Sequence, residues 1–129
     1  MERPRLLLID DEPALADFLA AAARECGYEA LIARDEAEFR RTFGEVRPDM
    51  VALDLGMPGT DGVEFLRFLA SEGYRGPVLI ISGFDRRVLE AAFRLGEALG
   101  LDMAGPVEKP ARFDELEVLL NGLKPLLAR

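Results

Sequence analysis

Acidic, hydroxyl and ammonium side chains directly follow four short apolar segments of the chain. The aspartate pair Asp10 and Asp11 follows the first apolar run, and Asp54 follows a later one. Ser82 and Lys109 come after two further runs. Aspartates brought together without a counter-ion repel one another and raise each other's pKa values. Such a cluster therefore favours a hard divalent cation, and Mg²⁺ suits it best because it leaves coordination positions open for a phosphoryl oxygen.

Each of these side chains also has an ordinary structural explanation when it is taken alone. Asp10 and Asp11 suit the N-cap of a helix, and Asp54 at a strand end is typical of a turn former that bonds local backbone amides. Ser82 suits a loop hydroxyl and Lys109 a solvated charge. It is the occurrence of all five in one pattern that favours chemistry over these separate roles.

The elements that position these residues are predicted by the periodicity of the apolar residues. Five runs rich in Leu, Ile and Val predict strands at Arg5 to Ile9, Tyr28 to Ala33, Met50 to Leu53, Val78 to Ile81 and Ala104 to Glu108. Segments of helical periodicity follow each of them, with Asp35 suited to a helix start and Gly27 and Gly73 to helix ends. Strand followed by helix, five times, is typical of a parallel sheet covered on both faces. Ligands of such sheets bind outside the carboxyl ends of the strands, so we expect the polar residues above to converge there.

The composition restricts the possible classes of function. A length of 129 residues predicts a single domain over residues 1–129. The chain contains no histidine, which excludes Ser-His-Asp and Cys-His catalysis, His-ligated zinc and a role as phosphohistidine donor. The formal net charge of −8 argues against direct nucleic acid binding and favours a cation or a basic partner surface.

The sequence predicts a cytoplasmic protein without membrane segments. Its apolar runs, such as Leu6 to Ile9, are far shorter than the ~20 residues of a membrane span. An acidic cluster follows the amino-terminal run, which is unlike a signal peptide. The single cysteine, Cys26, falls on the apolar stripe of a predicted helix, so we expect a buried and unreactive thiol.

The order and spacing of these motifs, over essentially the whole chain, resemble the receiver domains of bacterial two-component response regulators. The matching pieces are Asp10 and Asp11, Asp54 in "DLGMPGTDG", Ser82 and the Lys109-Pro110 pair. The resemblance implies a doubly wound α/β fold, similar to flavodoxin, with a five-stranded parallel sheet in the order 2-1-3-4-5. It also implies Mg²⁺ and a phosphoryl group accepted from a sensor histidine kinase, a histidine phosphotransfer protein or a small phosphodonor.

The resemblance further implies a role for each matched residue. Asp54 would be the phosphoacceptor, and a carboxylate needs no general base because such groups are ionised at neutral pH. Ser82 would hydrogen-bond one phosphoryl oxygen, and Lys109 would neutralise another. The implied magnesium ligands are Asp10 through a bound water and, directly, Asp11, Asp54 and the backbone carbonyl of Gly56. A cis Lys109–Pro110 peptide bond is also implied.

The chain departs from the receiver pattern near its fifth strand. Receivers usually carry Tyr or Phe three residues before the loop lysine, where this chain has Pro106, which cannot make the rotamer change of that aromatic. Pro106 has no amide hydrogen, so we expect it in an edge strand or a bulge. The long segment between Ser82 and Lys109 predicts an extended fourth helix or a longer loop after it. That segment is similar to receivers attached to cyclic-di-GMP phosphodiesterase output domains.

Three functional hypotheses follow from these residues. The favoured one is a receiver that is phosphorylated on Asp54, loses the group slowly by itself, and switches a partner, an output domain or a homodimer without acting on external substrates. The alternative, suggested by Pro106, is a phosphorylation-independent adaptor that docks partners through the receiver-like fold. The third is a Mg²⁺-dependent phosphohydrolase, but such enzymes tend to carry a second aspartate where this chain has Gly56.

Overall fold

A computed structural model describes residues 3–10, 12–55, 62–83, 86–108 and 112–123, in which strands and helices alternate along the chain. The strands are β1 (Arg5–Ile9), β2 (Glu29–Ala33), β3 (Met50–Asp54), β4 (Pro77–Ser82) and β5 (Asp102–Glu108). The helices are α1 (Pro13–Glu25), α2 (Glu36–Val46), α3 (Gly62–Ser71), α4 (Arg86–Ala98) and α5 (Phe113–Leu123). Among these helices, none has both the length and the apolar character that crossing a lipid bilayer requires.

The five strands form one parallel sheet in the order β2-β1-β3-β4-β5, which confirms the α/β class and the strand order implied by the resemblance. Leu8 near the centre of β1 pairs with Ile32 of β2 on one side and with Ala52 of β3 on the other. Every residue of β3 and β4 is buried, as expected for central strands of a parallel sheet that is covered on both faces.

The alternation of side chains along the strands divides the core into two layers. One layer joins α1 and α5 to the sheet through residues such as Leu6, Leu8 and Leu120. The other joins α2, α3 and α4 through residues such as Leu7 and Phe39. Because consecutive strand residues point to opposite faces, an apolar run without interruption buries both faces at once. This is why the continuous runs in the sequence predict the strands well.

The helix ends follow the local signals of the sequence. The Asp35 side chain caps α2 by accepting a hydrogen bond from the Glu38 amide at 2.8 Å. Gly27 and Gly73 follow α1 and α3 with φ angles of 89° and 67°, a conformation that glycine adopts without a steric cost. Cys26 is buried as expected, and it packs in the same core layer as Leu19 and Ala22 of the apolar face of α1. It lies just beyond the last residue of α1, where the chain leaves the helix for this glycine turn.

Among the strands, the start of the last one shows the largest single shift from its predicted position. β5 begins at Asp102, before the predicted Ala104, and forms one edge of the sheet. Leu79 pairs with Ala104 and Ile81 with Val107. Gly105 and Pro106 of β5 therefore both lie opposite Ile80 of β4. Pro106 therefore lies in an edge strand and in a bulge, and the Gly105–Pro106 peptide is cis. The two missed residues precede the bulge, and the strand starts at Asp102, an exposed charged residue that continues no apolar run.

The segment between Ser82 and β5 contains a long helix and no long loop after it. Helix α4 has 13 residues, the same number as α1, and only residues 99–101 separate it from β5. The expected longer loop after the helix is therefore wrong, and α4 is no longer than α1.

Candidate functional site

Three polar residues lie at the carboxyl ends of three adjacent strands. Asp10 follows β1, Asp54 ends β3 and Ser82 ends β4. Their exposed fractions are 1%, 3% and 0%, and among the described residues they are the ones with buried polar or charged side chains. Burying a carboxylate is costly unless it is hydrogen-bonded, paired or bound to a cation. Two buried carboxylates and a buried hydroxyl at one edge of the sheet therefore indicate a functional site.

The backbone at this edge is held by the strand ladders. Asp54 pairs with Ile81, and the Leu55 amide donates to the Ile81 carbonyl at 3.0 Å, so the pairing of β3 with β4 continues past the aspartate. Ser82 pairs with Glu108 at the end of β5. Side chains on such paired backbone are positioned more rigidly than side chains on loops.

A cluster of carboxylates forms where β1 and β3 end. Asp10, Glu12 and Asp54 each offer an oxygen, and these oxygens all lie within 4.8 Å of one another. The Oδ1 atom of Asp10 also accepts a hydrogen bond from the Glu12 amide at 2.9 Å. Asp10 thus makes the local turn contact that its ordinary explanation anticipates and also faces the carboxylate of Asp54. The two explanations are compatible in this structure.

The donor set of this cluster fits a hard divalent cation. All three groups are carboxylates, which are the ligands that Mg²⁺ and Ca²⁺ prefer, and their mutual repulsion without a cation is unfavourable. The described residues at the ends of β1 and β3 could therefore hold a metal ion.

Glu12 is a member of this cluster that the sequence analysis did not single out. It stands at the N-cap position of α1, is exposed, and makes no side-chain capping hydrogen bond. An acidic residue at the start of a helix is common because it interacts favourably with the helix dipole. Only the fold shows that the Glu12 carboxylate lies beside those of Asp10 and Asp54.

The remaining predicted site residues lie outside the described residues. They are Asp11, Gly56 and Lys109, and the predicted cis Lys109–Pro110 bond lies there as well. The structure brings together Asp10 and Asp54 and places Ser82 on the neighbouring strand. The roles assigned to all six residues stay predictions at this point.

Comparison with known proteins identifies relatives of the chain over nearly its whole length. A family model described as the response regulator receiver domain matches residues 6–121. The transcriptional regulatory protein TrcR of Mycobacterium tuberculosis is 34% identical over 119 residues, which cover 92% of this chain and 44% of TrcR. The DNA-binding response regulator MtrA of Mycolicibacterium smegmatis is 36% identical over 70 residues, which cover 54% of this chain and 31% of MtrA.

Solved structures show the same architecture. The receiver domain of the Francisella response regulator 1452 superimposes with a TM-score of 0.79 at 26% identity, covering 97% of this chain and 99% of that one. The chain spans about half or less of the length of the curated relatives it matches, with 44% of TrcR covered.

Proposed function

The chain belongs to the response regulator receiver family, and on that premise we propose that it is the phosphoacceptor domain of a two-component signalling system. Asp54 accepts a phosphoryl group from a histidine kinase or a histidine phosphotransfer protein, and the modified domain then switches a partner, an output domain or a second copy. The observation that carries the proposal is the buried Asp54 carboxylate at the end of β3, beside the carboxylates of Asp10 and Glu12.

The proposed transfer moves one phosphoryl group between two side chains. The P–N bond of a phosphohistidine on the donor protein breaks, and a P–O bond to a carboxylate oxygen of Asp54 forms. The donor imidazole keeps the electron pair of the broken bond and takes up a proton. Catalysis of such a transfer depends mainly on positioning and charge stabilisation, because the transition state has little bonding to either side.

The chain's own residues supply the positioning in this proposal. Ser82, fully buried at the end of the strand beside β3, donates its hydroxyl hydrogen to one phosphoryl oxygen. Lys109 neutralises a second oxygen, as the resemblance implies. Mg²⁺, when bound, would neutralise part of the charge on the phosphoryl group. The residues proposed to hold the ion are Asp10, Asp11, Asp54 and the backbone carbonyl of Gly56, with the Glu12 carboxylate within reach of the same place.

The rival hypotheses have less support. The relatives are named as regulators, which favours signalling over hydrolysis of external phosphoesters. The adaptor hypothesis depended on Pro106, yet the chain keeps Asp10, Asp54 and Ser82 buried at one edge of the sheet. A domain that only docked partners would have no need of buried carboxylates there.

Residues 1–129 act as one domain in the cytoplasm, and the net charge of −8 supports the proposal that this domain does not itself contact nucleic acid. Because MtrA is named a DNA-binding response regulator, DNA binding by further parts of a longer protein is compatible with this proposal. A link to cyclic-di-GMP phosphodiesterase outputs stays a prediction.

The test is phosphorylation by a small donor followed by intact-mass measurement. Acetyl phosphate with Mg²⁺ is expected to add the mass of one phosphoryl group to the wild-type chain, and Asp54→Asn is expected to abolish the adduct. Asp17→Asn, at an exposed position on α1, is the matched control and should keep it. The proposal is wrong if neither acetyl phosphate, phosphoramidate nor a phosphorylated histidine kinase modifies the wild type, or if Asp54→Asn is modified equally.

A further inference from the structure

An ion pair joins the start of α4 to the end of β5. The Nε atom of Arg86, the first residue of the helix, donates to Oε1 of Glu108, the last residue of the strand, at 2.9 Å. The two side chains are 76% and 51% exposed. Exposed ion pairs contribute little to global stability, so any larger role of this pair must come from what it connects.

The ion pair, together with the pairing of β4 with β5, links the two ends of the connection between β4 and α4. Ser82 ends β4 and pairs with Glu108 across the sheet, and the Glu108 side chain then reaches Arg86 at the far end of the same connection. Both ends of the segment from Ser82 to Arg86 are therefore held by one residue, Glu108. Ser82 and Lys109 are the two side chains proposed to contact the phosphoryl oxygens. Lys109 directly follows Glu108 in the sequence.

The first turn of α4 depends on contacts of this kind more than the rest of the helix. The side chains of residues 86–88 are exposed, and the first buried side chain of the helix is Leu89. Farther along the helix, Gly96 lies directly against Met103 of β5, so this part of the helix packs closely on the strand. The ion pair extends this attachment to the end of the helix that lies nearest the site.

The end of β5 is a strand segment that follows a bulge and regains its pairing with β4 over only two residues. The bulge at Gly105 and Pro106 places two residues opposite one residue of β4, and the strands return to register only at Val107 and Glu108. Bulges interrupt the ladder and bend the strand. Glu108 is thus one of two residues that restore the pairing between the bulge and Lys109, and its side chain carries the contact to Arg86.

We propose that the Arg86–Glu108 ion pair is a positioning element for phosphoryl transfer. It ties the start of α4 to Glu108, which pairs with Ser82 and directly precedes Lys109 in the sequence, and so fixes the ends of β4 and β5 from which those two residues act. The inference rests on the proposed function of Asp54 as phosphoacceptor. Neither Arg86 nor Glu108 touches the phosphoryl group in this proposal, so both act through the residues that do.

The test compares neutral variants of each partner by their rate of phosphorylation. Arg86→Gln and Glu108→Gln are each expected to slow modification of Asp54 by acetyl phosphate about two- to fivefold, the range that an exposed ion pair supports. The variant carrying both changes should be no slower than either single variant, because the pair is already broken. Reversing the pair with Arg86→Glu and Glu108→Arg together should restore part of the rate.

This design separates positioning from simple electrostatics. If the charges acted only through their field on the incoming phosphoryl group, loss of the Glu108 charge would speed the reaction and loss of the Arg86 charge would slow it. Opposite effects would therefore overturn the proposal, and so would rates that stay unchanged. The matched control is Glu36→Gln, because the Arg40–Glu36 pair on α2 has a 2.8 Å contact and is also exposed, at 42% and 46%. That variant should react at the wild-type rate.

Hydrogen exchange gives a second measurement that needs no phosphorylation. Backbone amides of residues 90–93, which donate to the carbonyls of the first turn of α4, should exchange faster in Arg86→Gln and in Glu108→Gln than in the wild type or in Glu36→Gln. Unchanged exchange would overturn the proposal even if the rates differed. The two proposals fail in different ways: a wild type that takes up no phosphoryl group refutes the assigned function, whereas a phosphorylated wild type with unaffected variants refutes only the positioning role.

Discussion

Gly96 of α4 packs directly against Met103 of β5, with no room between them for a further methyl group. A Cβ atom built on Gly96 would overlap the sulfur of Met103 and lie 2.8 Å from both its Cγ and its Cε atoms. The close approach lets a long helix lie near the edge strand beside the bulge. The distance between α4 and β5 is therefore set by the lack of a side chain at this position.

Gly96→Ala is expected to destabilise the protein in spite of its benefit to the helix. Alanine favours the interior of a helix over glycine by up to about 1 kcal/mol, whereas overpacking typically costs about 1–3 kcal/mol. Methionine is flexible, but the overlap involves its Cγ atom as well as the flexible end, so repacking alone does not remove it. We expect a net loss of about 1 kcal/mol in the free energy of unfolding, measured by urea denaturation.

Gly44→Ala is the matched control for this substitution. Gly44 lies inside α2, and a Cβ atom there would meet nothing within 4 Å. This variant should gain about 0.5–1 kcal/mol from helix propensity. If both variants changed the free energy of unfolding by the same amount and in the same direction, the contact of Gly96 with Met103 would not limit the packing of α4.

Much of this fold follows from local patterns in the sequence. The continuous apolar runs predict all five strands, because the central strands of a covered parallel sheet are buried on both faces. The same reasoning places Asp10, Asp54 and Ser82 at one edge, since parallel strands end on the same side. The strand order came from the family resemblance, because apolar runs do not specify which strands are neighbours.

The features that the sequence did not reveal depend on contacts between distant elements. Glu12 looks like an ordinary acidic residue at a helix start, and its place in the carboxylate cluster appears only when β1 and β3 are adjacent. Arg86 and Glu108 are 22 residues apart, and the sequence shows no sign that they pair. The missing amide of Pro106 predicts the irregularity in β5, but the apolar pattern does not show that the strand starts at Asp102, which is charged and exposed.

Removing one carboxylate from the cluster should have opposite effects on metal binding and on stability. Asp10→Asn is expected to weaken Mg²⁺ binding about 10- to 100-fold, the range for a group that acts through a bound water. Without Mg²⁺ the same variant should be more stable than the wild type by about 1 kcal/mol, because repulsion from Asp54 is removed while the amide oxygen still accepts from the Glu12 amide. Calorimetric titration and urea denaturation measure the two effects.

Glu12→Gln measures how much the exposed member of the carboxylate cluster contributes to Mg²⁺ binding. Because water screens its charge, the loss of Mg²⁺ affinity should be only about two- to fivefold. Asp17→Asn, exposed on α1 and not a member of the cluster, should leave the affinity unchanged. If Asp10→Asn bound Mg²⁺ as tightly as the wild type and was no more stable without it, the carboxylate cluster would not be the metal site.

The buried phenol of Tyr28 should make stability depend on pH in the alkaline range. Its Oη atom donates to the Leu120 carbonyl in α5 at 2.8 Å. Burial, with a smaller contribution from the charge of Cys26, raises the pKa of Tyr28 from 10.0 to about 12. The folded state therefore favours the neutral phenol more than the unfolded state does. The resulting stabilisation is complete below pH 10 and is lost as the pH rises from 10 to 12.

Tyr28→Phe tests this dependence, because phenylalanine keeps the ring and removes both the hydrogen bond and the titration. At pH 7.5 the variant should be about 1–2 kcal/mol less stable, since the Leu120 carbonyl loses its partner. Above pH 10 the wild type should lose stability relative to the variant by about 1 kcal/mol for each further pH unit. Urea denaturation at pH 7.5, 10 and 11 measures the difference. A constant difference between the two proteins up to pH 11 would show that Tyr28, which directly precedes β2, is not held neutral by its contact with α5.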